Sequence, residues 1–142
     1  MKFLKVMMVV GLITAWSNFT LAQMPRTSSP AQAKVYIIQP ADGDVIQGPT
    51  VTVKFGLSGM GVAPAGVDKA NTGHHHLLVD AKSLPEVDKP MGADVIHFGG
   101  GQTETEVTLA PGSHTLQLIL GDRYHVPHDP VVVSEKITIT VK

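Results

Sequence analysis

Seven histidines stand in a chain of 142 residues, and three of them are consecutive: His74, His75 and His76. The others are His97, His114, His125 and His128. A neutral imidazole nitrogen is a ligand for divalent transition metals, at about 2.0–2.1 Å for zinc. Two imidazoles two residues apart on a strand share a face, with Cα atoms about 7 Å apart. From there both rings can reach one ion. His75 is in phase with Leu77 and Val79, so its face is expected to be the core, with His74 and His76 pointing outward. The chain has no cysteine, which excludes disulfides, thiolate metal sites and a cysteine nucleophile. Any metal site must therefore be built from nitrogen and oxygen donors.

The elements that would position these rings are strands. Segments of alternating apolarity recur at 34–39, 50–57, 74–80, 94–98, 103–109, 114–120 and 131–141, separated by Gly, Pro, Asp and Asn. Val51, Val53, Phe55 and Leu57 share one face of the second; Leu116, Leu118 and Leu120 share one face of the sixth; Ile137, Ile139 and Val141 face inward in the last. No stretch has a helical period. About seven short strands of this kind predict an all-β, immunoglobulin-like antiparallel sandwich, with a partly open barrel as the rival. In immunoglobulin order the long connections 58–73 and 121–130 and the Gly99-Gly100-Gly101 turn lie at one pole. His74 to His76, His97, His125 and His128 then gather there, and His114 falls at the opposite pole as a structural residue. Met60, Asp122 and Asp129 sit in the same loops as further donors, and Asp122-Arg123 is a candidate ion pair.

The plainer readings are a solvated loop edge for the histidine run and a satisfied core residue for His75. Against catalysis by protein groups alone, no serine sits in a G-x-S-x-G turn. Glu104 and Glu106 share a strand face without marking an acid/base pair. The triple glycine has no lysine and precedes no helix, so it is not a phosphate-binding loop. Tight turning or close backbone approach accounts for it better.

The N-terminus has the three parts of a secretory signal peptide, 1–22: Lys2 and Lys5, an uncharged apolar run at 6–16, and Thr20-Leu21-Ala22 before a cleavage at Gln23. The apolar run is short for a bilayer span of about 20 residues. Residues 23–33 read as a flexible lead-in, and 34–142 as one domain. Cleavage removes two lysines and no acid, taking the formal charge from −1 to −3. An acidic domain with scattered lysines excludes nucleic acid as a partner, and no later segment is apolar enough to span a membrane. The expected location is the periplasm or the exterior.

The segments VTVKFGLSGMGVAPAG (51–66), NTGHHHLLVD (71–80), IHFGGGQTE (96–104), HTLQLILGD (114–122) and VPHDPVVVSEKITITV (126–141) resemble the bacterial family known as domain of unknown function 4399. That resemblance implies an exported single-domain protein and carries no activity. A weaker likeness is to periplasmic copper-resistance proteins of the C type. Those are immunoglobulin-like and bind copper(II) through histidine and aspartate ahead of the last strand, where His125, His128 and Asp129 stand here. Their N-terminal histidine has no counterpart, since Gln23 would come first.

The reading that follows is a periplasmic metal-binding module for sequestration or delivery. Copper or zinc would be held by His74, His76, His125 and His128, with His97 as a further ligand. The alternative is a non-enzymatic module that binds a ligand or a periplasmic protein, with structural histidines and loops 58–73 and 81–93 as walls. A small metalloenzyme comes third, since no general acid or base stands beside the histidines.

Overall fold

A computed structural model describes residues 25–142, so the expected signal peptide lies outside the described residues. Nine strands are present in that span: β1 (Lys34–Gln39), β2 (Val45–Ile46), β3 (Thr50–Ser58), β4 (Gly61–Val62), β5 (Thr72–Val79), β6 (Ile96–His97), β7 (Glu104–Thr108), β8 (Gly112–Gly121) and β9 (Ile137–Val141). They form two sheets. One has the order β1-β3-β7; the other has the order β2-β9-β8-β5-β4, with β6 also on β5. Taken as strands A, B, C, E, F and G, the elements β1, β3, β5, β7, β8 and β9 give an A-B-E sheet facing a G-F-C sheet. This is the immunoglobulin-like arrangement. β2 pairs parallel with β9, against antiparallel pairing of β1–β3, β3–β7, β5–β8 and β8–β9.

The alternation seen in the sequence is the alternation of burial. Val51, Val53 and Phe55 of β3 meet Leu77 of β5, Leu116, Leu118 and Leu120 of β8, and Ile139 and Val141 of β9 in one core between the sheets. The last expected strand, 131–141, is broken. Only 137–141 is regular, while Val133 makes an isolated bridge to Ile119 and the Ser134 hydroxyl accepts the Leu118 N–H. A polar side chain there takes over one bond of the ladder.

One expectation is corrected. The face opposite the core was expected to carry His74 and His76 outward, yet both are buried, 0% and 1% exposed. Segment 81–95 lies over that face. Leu78, Val95 and Ile119 form a second small core there, with Ala81, Met91, Val131 and Val133 packed against it. The expected lead-in at 23–33 is tied down over residues 26–29: Ser28 bridges Asp129, and the Ser29 N–H donates to the Asp129 carbonyl at 2.9 Å.

At the far pole, His114 Nδ1 lies 2.7 Å from Asp80 Oδ2 and Nε2 lies 2.8 Å from the Ala110 carbonyl. Both partners accept, so only the imidazolium, with two N–H groups, satisfies both. The Asp80 hydrogen bond, then that of Ala110, raises the His114 pKa above its ordinary 6.5. This stability is fully present below the unfolded-state pKa and is lost as pH rises through the raised folded-state value. The thermal midpoint of His114→Gln is therefore expected to lie below that of the wild type at about pH 6 and to converge on it by about pH 9. Thermal unfolding across that range checks this; a pH-independent gap would contradict it.

Candidate metal centre

Strand pairing brings the first three rings together. In β5, His74 and His76 share a face, with ring centroids 4.7 Å apart. The β5–β6 register sets His97 directly opposite His76, on the same face. The β5–β8 register sets Gly121 opposite His74 and Ile119 opposite His76. Gly121 is essential to this packing: a Cβ there would stand 2.6 Å from His76 Cε1 and 2.9 Å from Met91 Cε. Gly99 does the same for His97, whose Cε1 would be 2.3 Å from an added Cβ. Both are closer than real Cβ atoms approach their neighbours, so glycine is what lets these rings lie against backbone.

The fourth ring comes from a turn. His125 has φ of 66°, a left-handed conformation that non-glycine residues adopt at a cost. Asp122 holds that turn. Its Oδ1 accepts the N–H groups of Tyr124 (2.8 Å) and Val126 (3.0 Å), and its backbone pairs with His125 and Val126 at 2.9 Å. The Met91 N–H donates to the His125 carbonyl at 2.9 Å, fastening the turn to segment 81–95.

The result is a cluster of four imidazoles. One ring nitrogen from each of His74, His76, His97 and His125 lies within 4.8 Å of the others. His74 Nε2 is 3.0 Å from His125 Nδ1 and 3.1 Å from His97 Nε2. Nitrogens around a single ion at about 2.0–2.1 Å stand about 3.3 Å apart in a tetrahedron, and about 2.9 and 4.1 Å apart in a square. His74 Nδ1 and both nitrogens of His76 are buried with no hydrogen-bond partner among the described residues. Such atoms cost about 1–3 kcal/mol each unless something satisfies them. The donor set fits an ion: its two shortest contacts, 3.0 and 3.1 Å, lie near the spacing of nitrogens around one ion, and the His76 nitrogens have no hydrogen-bond partner among the described residues. The cluster can hold a metal ion.

The electrostatics point the same way. Burial, followed by the His125 and His97 rings, pushes His74 down to about 4, with the Asp122 carboxylate pulling weakly upward. Burial and then His74 push His76 down to about 3. Burial and then His125 lower His97. These rings are neutral at pH 7, as ligation requires. His97 is exposed and His125 half-buried, so the cluster opens to solvent on that side.

His128 stands apart from the four. It is fully buried at the same end of the molecule, with Cε1 2.8 Å from where a Gly73 Cβ would be, and its Nε2–H donates to the Thr72 carbonyl at 3.1 Å. His75 faces the core as expected, against Phe55 at 5.1 Å between centroids. The other loop donors have different work. Met60 packs on the core, Asp129 pairs with Arg26, and Asp122 is occupied by its turn. Arg123 pairs with Asp68 rather than with Asp122. The room made by Gly121 and the turn-holding role of Asp122 go beyond the sequence reading, whereas close backbone approach was expected of the glycine run at 99–101 and is found at Gly99. An Asp two residues before a backbone N–H it can accept is an Asx-turn signal that was available.

No curated protein matches this chain. Among solved structures it is similar to the fibronectin(III)-like modules of Clostridium thermocellum CbhA, at 14% identity and a TM-score of 0.37, over 75% of this chain and 92% of that one. The comparisons do not carry the likeness to copper-resistance proteins of the C type. A family model described as a domain of unknown function matches residues 53–142, and the chain belongs to that family, DUF4399.

Proposed function

We propose that this chain is an exported metal-binding module that takes copper(II) or zinc on His74, His76, His97 and His125, for sequestration or delivery in the periplasm or outside the cell. The carrying observation is the cluster itself: four ring nitrogens within 4.8 Å, two of the rings buried with unpartnered nitrogens. All-nitrogen sites suit both ions, and copper(II) generally binds more tightly than zinc. The open side at His97 favours exchange of the ion over permanent burial. Export rests on the composition of residues 1–22.

Calorimetry on the metal-free protein tests the reading. One ion per chain is expected, with affinity falling at least about a hundredfold, or about 2.7 kcal/mol, when His74 and His76 are both replaced by alanine. His128→Ala is expected to leave the stoichiometry intact. No heat with either ion, together with protein free of copper and zinc when isolated untagged from the cell envelope, would remove the reading.

The glycine requirement gives a second test. Gly121→Ala is expected to destabilise the fold by about 1–3 kcal/mol through overpacking and to weaken metal binding by displacing the His76 ring. Gly61→Ala is the control, because its added Cβ meets nothing nearer than Thr72 Cγ2 at 3.6 Å. Denaturant unfolding and metal titration of the two variants should separate them; equal behaviour would show that Gly121 makes no room for the ring.

A further inference from the structure

The four candidate ligands are held in two different ways. His74 and His76 lie within β5, and His97 is paired to it through β6, so all three belong to the sheet. His125 belongs to a turn, and that turn is braced by the segment that precedes the first strand. The Thr27 hydroxyl donates to Asp122 Oδ2 at 2.6 Å, on the carboxylate oxygen that the turn's own amides leave free. Arg26 Nε donates to the Pro127 carbonyl at 3.3 Å, its Nη2 donates to the His128 carbonyl, and its Nη1 is 3.3 Å from Asp129 Oδ1. The Asp129 N–H donates to the Thr27 carbonyl at 2.9 Å, and the Ser29 hydroxyl donates to the Pro130 carbonyl at 2.7 Å.

We propose that residues 26–29 are a latch on the metal centre, in which Arg26 and Thr27 are positioning residues that keep His125 in the ligand set. This rests on the metal-binding reading of the cluster. The segment belongs to no strand of either sheet; it pairs with Asp129 through one isolated bridge, and its other contacts to 122 and 127–130 are polar. None of Arg26, Thr27, Ser28 and Ser29 buries an apolar side chain, so the segment can open locally while the sandwich stays folded. With the latch away, Asp122 loses its Thr27 partner, the turn at His125 loosens, and three imidazoles remain on the sheet. An ion on three ligands has a position open to an incoming donor. Release of the latch thus converts a four-ligand site into a three-ligand one from which a partner can take the ion.

The experiment uses Thr27→Val and Arg26→Ala, with Thr27→Ser as the conservative variant. In the metal-free protein, amide hydrogen exchange at Tyr124 and Val126 is expected to quicken at least about tenfold in Thr27→Val, with β5 and β8 unchanged and Thr27→Ser restored to wild type. In the copper(II)-loaded protein, pulsed electron paramagnetic resonance is expected to count four coordinated imidazoles in the wild type and three in Thr27→Val and Arg26→Ala. Copper release to a chelator should be faster by about tenfold or more in both. Unchanged exchange at Tyr124 and Val126, or faster exchange spread through β5 and β8, overturns the latch. Unchanged imidazole count and release rate overturn its hold on the ligand set. If the wild type takes neither copper nor zinc, the metal reading fails, and the exchange experiment alone decides whether the segment fixes the turn.

Discussion

Two rings of the histidine cluster lie so close to backbone that a Cβ at the facing position would collide with them, and the cluster depends on those positions being glycine. Gly121 clears the space for His76, and Gly99 clears it for His97. The place of Gly121 follows from the pairing of β5 with β8 and that of His97 from the pairing of β5 with β6, while Gly99 lies in the turn two residues beyond His97. A one-residue slip in the β5–β8 register would set His74 against Leu120 and turn alternate side chains to the wrong face. The apolar rungs Leu77↔Leu118 and Val79↔Leu116 make such a slip costly. The hydrophobic core and the polar cluster are therefore specified by the same ladder, seen from its two sides.

Identical side chains have their pKa values shifted in opposite directions at the two ends of this molecule. His114 faces a carboxylate and a carbonyl, both acceptors, and its pKa is raised. His74 and His76 are surrounded by apolar packing and by each other, and their pKa values are lowered. Burial without an acceptor disfavours the charged form, whereas hydrogen bonds to acceptors favour it. Neighbouring groups alone thus separate a histidine suited to bracing a strand end from histidines suited to ligating an ion.

Much of this was legible in the sequence because period-two patterning is a local property. The first strand, 34–39, has the bounds read from its residues, and the phase of His75 with Leu77 and Val79 assigned it to the core correctly. Patterning states which face a residue occupies and not what covers that face. The rings of His97 and His125 lie against His74 and His76, and segment 81–95, which has no period to read, packs on Leu78 and Ile119 of the same face. His128 was grouped with His125 because they are three residues apart in one loop. The left-handed turn at His125 redirects the chain, and His128 ends beneath Gly73. β2 and β4 are two residues each, too short for alternation to show. Arg26 and Thr27 act on residues about a hundred positions away, a pairing that one sequence cannot reveal.

Two of the four rings sit at alternate positions of a single strand, and this constrains how the centre can breathe. The separation of those two residues is set by the pleat, so they form an anvil of nearly constant gap. In a metal-loaded form any difference in ionic radius would therefore fall on the short β6 edge and on the turn at 125, the irregular backbone of the four, while the two rings of β5 would act as a fixed jaw.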